Sequence, residues 1–289
     1  MTTSPATPVR IRRPALSPTL RRYLTAFRTP RGAIGAILLV LLVALALLAP
    51  VLYPGGYDLQ GRDSLLGPSP DHLFGTDQLG RDLFARSLFG LRVDLSIIVV
   101  AVPLGMVAGT ALGLIGALSR PIGTLVQRVL DVIVGFPGIV LGVSIVLVLG
   151  PGWLALVISI AIASLPTFGR LSRAALLSQS QREYVTAART LGVGRGTILV
   201  RHILPNAVDP ILVAGAVFVV HAIFIEAGLS IIGLGIQPPE PSLGSLLNNA
   251  TRFVNQSPTY ILGPTVVLFL LALSFSLISD ALNRTVNRA

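Results

Sequence analysis

The segment 132–168 contains no charged residue, and this constrains the fold of the chain more than any other feature. As one helix it would be about 55 Å long at about 1.5 Å per residue, nearly twice the roughly 30 Å of a bilayer hydrocarbon core. The chain must fold back, and the Gly-Pro-Gly sequence at 150–152 supplies the turn. The pattern predicts two membrane spans, at about 130–149 and 152–168, and Pro137 is expected to kink or end the first.

Other apolar stretches are also long enough to cross a bilayer, which takes about 20 residues. They lie at about 33–53, 95–118, 210–235 and 260–280, so the sequence predicts six spans. Only 12% of the residues are charged, against about 25% in a soluble globular protein, and 53% are hydrophobic. The second span carries small residues at three- and four-residue spacing, which lets helices approach closely. They are Gly105, Gly109, Gly113 and Gly116.

The arginines predict the orientation of the spans, because positive residues in short loops stay on the cytoplasmic side. With the N-terminus inside, the tail 1–31 and the connection 169–209 place most arginines in the cytoplasm. Both termini are then cytoplasmic. The net charge of +10 reflects this asymmetry, and no nucleic-acid partner is expected.

The N-terminal residues allow two interpretations. The pattern at 17–27 loosely resembles a twin-arginine signal, but the next apolar run is long enough to span and no clear small-residue cleavage site follows it. The favoured interpretation is an Arg/Pro-rich tail that leads into an amphipathic stretch along the inner leaflet.

The composition excludes several kinds of chemistry. All 22 basic residues are arginine, so the chain has no lysine for an ATP-binding P-loop, a Schiff base or a general base. It has no cysteine for a disulfide, a thiolate nucleophile or a metal. The histidines His72, His202 and His221 are far apart, which disfavours a clustered metal site. We therefore expect no catalytic residue and no cofactor or metal bound by this chain.

The predicted cytoplasmic segment 180–206 has the pattern of a helix, a glycine-rich turn and a second helix. Apolar and small residues recur at helical spacing over 183–191, and Gly192 is well placed to cap this helix in a left-handed conformation. A second short helix is expected over 197–203, ended by Pro205 and Asn206.

This segment is either a packed connector or a docking element. Tyr184, Ala187, Ala188 and Leu191 form its apolar stripe, and paired alanines give a low-profile surface that can enter a groove on a partner. Glu183 and the nearby arginines offer charges that orient such a partner.

The first outer loop is rich in turn formers and opposite charges around FGTDQLGRD, residues 74–82. Asp77, Arg81 and Asp82 are expected to form an ion-pair cluster that fixes a scoop of backbone on the outer face. A contact with an extracytoplasmic solute-binding protein is compatible with that structural role.

Acidic residues inside a span are costly and call for a functional hypothesis. Glu226 lies within the fifth span, where it is either a residue of a translocation path or a packing residue bonded to neighbouring helix ends. Asp131 and Asp94 are predicted at span ends near water, as anchors or ion-pair partners, and Asp131 is also a candidate for the path. His221 is expected to be a satisfied core residue.

The cytoplasmic segment EYVTAARTLG, continuing to RHILPN, closely resembles the EAA loop of permease subunits in ATP-driven (ABC) importers. In that family the loop docks into a cleft of the cytoplasmic ATPase and transmits its closure to the transmembrane helices. The resemblance implies that the ATPase-coupling residues are Glu183, Tyr184, Ala187, Ala188, Gly192, Arg201, Pro205 and Asn206.

Residues 72–92, HLFGTDQLGRDLFARSLFGLR, resemble a signature of the C-type permease in the dipeptide, oligopeptide and nickel group. Ala85 stands before Arg86 where that signature has serine, and Ser279 in the last span stands where a glycine is usual. The stretches at 128–142 and 226–247 also agree with this group. The motif residues of the outer loop are Phe74, Gly75, Thr76, Asp77, Gly80, Arg81 and Asp82.

The resemblance implies an all-α polytopic membrane protein of type I ABC importer architecture, with a tail at 1–31 and a permease domain at 32–289. Its implied partners are a sister permease, two ABC ATPase subunits that hold ATP and Mg, an extracytoplasmic solute-binding protein and membrane lipid. The implied location is the bacterial cytoplasmic membrane. A di- or oligopeptide is the implied cargo, with nickel or another small solute as the alternative.

Two other classes of protein compete with this interpretation. A secondary transporter driven by an ion gradient needs acidic residues at the midplane of broken helices, often in repeated halves. Glu226 alone lies well inside a predicted span, and the sequence has no clear inverted repeat. An intramembrane enzyme needs a Ser/His or Asp/Asp pair, and no motif joins Ser159 to His221.

Overall fold

The computed structural model describes residues 23–117 and 119–286. Most of the predicted tail at 1–31 and of the pattern at 17–27 lies outside the described residues. Apart from an isolated bridge between Thr76 and Asp82, the regular structure of the described residues is helical. A π-helical segment, Ile198–Ile203, connects the short helix at 195–197 to the long helix that begins at Leu204. The helices are α1 Pro30–Leu52, α2 Leu83–Ile115, α3 Arg120–Gly135, α4 Gly138–Leu149, α5 Trp153–Ser180, α6 Glu183–Thr190, α7 Arg195–Thr197, α8 Leu204–Ile231, α9 Leu243–Thr251 and α10 Thr259–Val286.

Among the described residues, five helices are long and apolar enough to cross a membrane, namely α1, α2, α5, α8 and α10. The pair α3 and α4 passes the same test when taken together, which gives six spans if this bent pair counts as one. The structure therefore has the six predicted spans if the bent pair of α3 and α4 counts as the third span.

The third span begins at Arg120, before the predicted start at about 130, and it breaks at Pro137, where the sequence predicts a kink or an end. The pair α3 and α4 bends by 96° at Phe136 and Pro137. Phe136 is extended, with ψ 135°, because the ring of a following proline disfavours helical backbone at the residue before it. Pro137 thus ends one helix and precedes the next, while the predicted turn at 150–152 separates α4 from α5.

Several helices extend beyond their predicted spans. The predicted second span begins at residue 95, but α2 already begins at Leu83, so Arg86, Arg92 and Asp94 are helical rather than part of a loop. The span predicted from hydropathy excludes these charged residues. In the structure, however, Arg86 and Asp94 are buried and contact polar groups inside the protein. At its C-terminal end, α5 continues well past residue 168 to Ser180.

Close packing between α2 and α5 forms the centre of the bundle. A Cβ atom added at Gly105 would lie 1.8 Å from Ser164 Oγ, and one at Gly113 would lie 1.9 Å from Ser172 Oγ. Between them, Gly109 faces Phe168, which is fully buried. The predicted role of these glycines in close approach is confirmed for three of the four residues.

Gly116 is the exception among the four glycines. It follows the end of α2, and its neighbours outside its own helix are Gly123 and Val126 of α3, both at 3.5 Å from an added Cβ atom.

The segment before α1 lies against the ends of two spans, α8 and α10. Tyr23 donates a hydrogen bond to Asp209 of α8 at 2.7 Å, and burial together with that bond raises the pKa of Tyr23 to about 12. Arg31 forms an ion pair with Asp280 of α10, which also accepts a hydrogen bond from Arg284 at 2.9 Å. The start of α1 and the end of α10 therefore lie on the same side of the bundle.

We expect Gly105→Val to destabilise the protein by about 1–3 kcal/mol, because the added carbons overlap Ser164 and the backbone of Ala161. The matched control is Gly135→Val, since an added Cβ at Gly135 meets no atom within 4 Å. Thermal unfolding of the purified variants in detergent measures the difference. Equal melting temperatures for the two variants would contradict the proposed packing.

Candidate functional site

The segment after α5, which the sequence predicts to be cytoplasmic, begins with the short helix α6, and a glycine ends this helix. Gly192 has φ +78°, and its N–H donates to the carbonyl of Arg189 at 3.0 Å. The N–H of Val193 donates to the carbonyl of Ala188 at 3.1 Å, and Val193 packs in the same apolar cluster as Ala188. These bonds form a Schellman motif, which satisfies the last carbonyls of a helix and requires a residue that tolerates positive φ. The predicted left-handed cap at Gly192 is confirmed.

The two faces of α6 have different surroundings. Val185 and Ala188 are buried in an apolar cluster with Leu176 of α5 and with Ile198 and Ile203 of the π-helical segment.

The opposite face of α6 is open. Tyr184 and Ala187 are exposed on it, and so is Leu191, which is 82% exposed. The prediction that Ala187 and Ala188 form one exposed pair is therefore wrong, because adjacent residues point about 100° apart around a helix. Ala188 anchors α6, and Ala187 remains on the surface.

The second half of the segment runs into the membrane without a break. The backbone at Leu204 is helical, with φ −55° and ψ −45°, and α8 begins there. Pro205 occupies the first turn of α8, where a proline costs no hydrogen bond, so the prediction that Pro205 and Asn206 end a separate helix is wrong. Arg201 is exposed on the π-helical segment, and the side chain of Asn206 lies outside the described residues.

At the opposite end of the bundle, the loop before α2 is built around a buried carboxylate. Asp77 is fully buried and accepts hydrogen bonds from the backbone of Leu79 at 2.8 Å and of Arg81 at 3.0 Å. The Arg81 guanidinium donates to Asp77 at 2.6 Å and to Asp58 at 2.7 Å. Although burial lowers the pKa of Arg81, these two carboxylates hold it above its usual value. The predicted ion pair between Asp77 and Arg81 is confirmed.

Neighbouring motif residues shape the same loop. Thr76 is fully buried and donates to the carbonyl of Asp63 at 2.6 Å, while its hydroxyl accepts from the backbone of Leu66 at 2.9 Å. Gly75 has φ +80°, and a Cβ atom there would lie 2.2 Å from the carbonyl oxygen of Leu66. These contacts require the small and polar residues of the motif at these positions.

Asp82 does not join the ion-pair cluster that the sequence predicts for it. One of its oxygens accepts from the backbone of Ala85 at 2.7 Å and caps α2, and the other lies 2.7 Å from His72 Nδ1. Both residues line a cavity of about 350 Å³ between the loop and the end of α1, which Tyr53 and Tyr57 also line. The loop before α2 is therefore a folded scoop with a cavity beneath it.

A second buried polar group lies under α9. Glu226 is 1% exposed and accepts a hydrogen bond from Ser230 at 2.7 Å, and Ser230 lies 3.4 Å from the hydroxyl of Ser242. Asp94 of α2 accepts from the backbone of Leu243 at 3.2 Å and is close enough to interact electrostatically with Glu226.

Asp94 is 2% exposed, so its predicted place near water is wrong. It lies more than two turns inside α2 because that helix begins before the apolar run. These contacts connect α9 to α2 and α8. They agree with the interpretation of Glu226 as a packing residue.

Asp131 and His221 lie on exposed surfaces. Asp131 forms an ion pair with Arg170 of α5 at 2.6 Å, as expected for an ion-pair partner. The prediction of a core position for His221 is wrong, because its side chain is exposed beside Phe218. The histidine lies on the exposed side of α8. The sequence does not indicate this side, because apolar residues lie all around α8.

Sequence reasoning missed several polar residues. Ser230 and Ser242 lie in the stretch 226–247, whose serines and glycines indicate close packing. The sequence does not show which carboxylate these serines contact. Arg170 follows the predicted end of a span at 168, so the underestimated length of α5 concealed its position on a spanning helix.

The sequence profile of the family described as "Binding-protein-dependent transport system inner membrane component" matches residues 101–289. The chain is 36% identical over 270 residues to the dipeptide transport system permease protein DppC of Alkalihalophilus pseudofirmus, covering 93% of this chain and 89% of that protein. It is 38% identical over 268 residues to the glutathione transport system permease protein GsiD of Pectobacterium atrosepticum, covering 91% and 88%. These matches confirm the resemblance found in the sequence.

Solved structures share the fold. A chain of the MetNI methionine ABC transporter in an inward-facing conformation has a TM-score of 0.56 at 20% identity, covering 70% of this chain and 95% of that chain. A chain of an amino acid ABC transporter solved with histidines has a TM-score of 0.55 at 24% identity, covering 72% and 94%. The likeness confirms the predicted all-α, type I importer architecture.

We expect Glu226→Gln to fold with a free energy of unfolding within about 1 kcal/mol of wild type, because the amide oxygen still accepts from Ser230. Glu226→Ala leaves that hydroxyl without its acceptor and opens a cavity, at a cost of about 2–4 kcal/mol. Thermal unfolding and cargo uptake distinguish packing from a path role. A folded Glu226→Gln protein with no uptake would show that the carboxylate charge itself is needed.

Proposed function

Because the chain belongs to the family of binding-protein-dependent transport system inner membrane components, we propose that it is a permease subunit of an ATP-driven importer of di- or oligopeptides. The observation that carries this proposal is the identity of 36% to 38% with permeases named for dipeptide and glutathione transport, over about nine-tenths of the chain. The chain is a multi-pass inner membrane protein, and its own role in the importer is to form part of the translocation pathway.

Both termini face the cytoplasm in this proposal. The ion pair between Arg31 and Asp280 supports a common side for the start of α1 and the end of α10. The arginines of the connection 169–209 lie at that same end, and positive residues favour the cytoplasmic side.

ATP and Mg are held by partner subunits, because this chain has no lysine for a P-loop. Two ABC ATPase subunits, a sister permease and an extracytoplasmic solute-binding protein complete the assembly. When the ATPases close on ATP, they draw the cytoplasmic segments of the two permeases together and open the pathway outward, and hydrolysis resets it.

The ATPase-facing surface consists of Glu183, Tyr184, Ala187 and Leu191 on the open side of α6. Exposed apolar side chains at the centre of such a patch are typical of a docking surface, and Glu183 adds an orienting charge. Gly192, Ala188 and Pro205 act indirectly, since they hold α6 in place and connect it to α8.

The scoop at 74–82 is the docking surface for the solute-binding protein. Its rigidity supports this role, because Asp77, Arg81 and Thr76 fix the backbone from within and leave Leu73 and Leu79 exposed. A preorganised loop loses little conformational freedom when it binds.

The two acidic path candidates differ in their surroundings. Asp131 is exposed with Arg170 towards the cytoplasmic end of α5, which suits the inner end of the pathway. Glu226 is enclosed by protein, and we assign it to packing.

Affinity purification of the chain from its native membrane in mild detergent, with mass spectrometry of the copurifying proteins, tests the proposal. We expect a second permease and one or two P-loop ATPases. Recovery of the chain alone, with transport that follows a proton or sodium gradient and ignores ATP, would establish a secondary transporter instead.

We expect Ala187→Arg to lower ATP-driven uptake by about tenfold, equivalent to about 1.4 kcal/mol of lost coupling, because a long charged side chain is added to the docking face. The protein should remain inserted and the assembly should keep its basal ATPase activity. Thr186→Arg is the control, since Thr186 is exposed away from the apolar patch. Assays in proteoliposomes measure the uptake and the ATPase activity of both variants. Equal uptake by the two variants would contradict the assignment of α6 as the coupling helix.

A further inference from the structure

Polar side chains are exposed on one side of the bundle at membrane depth. His221 lies about 15 Å along α8 from Ile231, near the middle of the span Ala207–Ile231, and its imidazole is exposed. By contrast, the exposed residues of α1 beyond its first turn are apolar, as a surface towards lipid requires. They include Ile34, Ile37, Val40 and Leu41.

The cavity beside His221 is mostly apolar, but one further polar side chain lines it. His221 and Thr167 of α5 line an open cavity of about 230 Å³, together with Val217 and Phe218. One turn further towards the cytoplasmic end of α5, Arg170 is exposed in its ion pair with Asp131.

Hydrocarbon cannot hydrogen-bond such groups, so polar residues in spans face a partner helix or a water-filled path. The geometry points to this face of α5 and α8 as the wall of the aqueous pathway, with His221 binding a peptide N–H group of the cargo as it passes mid-membrane. This inference rests on the proposed function, since it needs a pathway between two permease subunits.

The hydrogen bonding of His221 defines the ligand that it fits. Its Nδ1 lies 3.3 Å from the carbonyl oxygen of Val217, and because a carbonyl can only accept, Nδ1 carries the proton. In the neutral ring Nε2 is then an acceptor, and stacking on Phe218 at 6.0 Å between centroids holds the plane of the ring. An amide N–H or an α-ammonium group of a peptide supplies the matching donor.

Cysteine accessibility tests the pathway assignment, because the chain has no cysteine of its own. In proteoliposomes of the whole importer, we expect a charged methanethiosulfonate reagent to label this chain in the His221→Cys variant, and dialanine to slow the labelling. Val40→Cys is the control and should stay unlabelled, since Val40 is 68% exposed on the apolar side of α1. No labelling of His221→Cys, or equal labelling of both variants, would overturn the assignment.

Uptake kinetics with dialanine test the role of the imidazole. His221→Phe keeps a ring against Phe218 but has no acceptor, so we expect KM to rise about three- to tenfold, the effect of one hydrogen bond. His221→Gln restores an acceptor oxygen and should return KM to within about twofold of wild type.

The outcomes separate this inference from the function on which it rests. If the wild-type complex takes up dialanine and His221→Phe has the same KM, the cargo contact is wrong and the importer proposal stands. If the wild-type complex takes up Ni²⁺ and no dialanine, the peptide cargo and the contact are both wrong.

Discussion

The close approach of α2 and α5 is the contact on which the rest of the bundle depends. Helices in lipid gain little from burying apolar surface against each other, so they rely on dense packing and on interhelical hydrogen bonds. The stripe of Gly105, Gly109 and Gly113 provides that density, and it faces the serines and phenylalanine of α5 directly. Because α2 also leads out of the scoop and α5 leads into the cytoplasmic segment, this one interface fixes the positions of elements on both sides of the membrane.

Buried polar groups then attach the smaller elements to this frame. Asp77 and Arg81 fold the outer loop, while Asp94 and Glu226 anchor the start of α9 between α2 and α8. In each case backbone N–H groups or hydroxyl groups donate to a carboxylate, so a charged residue that hydropathy reads as an interruption serves as a structural link. The docking and pathway surfaces that we propose lie on elements held rigid in this way.

Much of the fold could be predicted from the sequence, because span number and turn position follow from length and proline chemistry. The limits of α2 could not, since the partners of Arg86 and Asp94 lie far away in the chain and become visible only in three dimensions. The same reason applies to α6, where burial by Leu176 and Ile198 separates Ala188 from Ala187. His221 was misplaced because an apolar stretch of sequence does not reveal which side of α8 faces outward.

The π-helical segment continues into α8 without a break, so a movement of the segment after α5 acts directly on this long helix. With 28 residues, α8 is about 42 Å long and contains Pro210, and a displacement of roughly one helical turn at one end would tilt a straight helix of this length by about 7°. A flexible loop at Pro205 would absorb that displacement as local bending. In the function that we propose, such a tilt would extend to the far end of α8, where Ser230 and Glu226 meet α9, and would link movement on one side of the bilayer to the other.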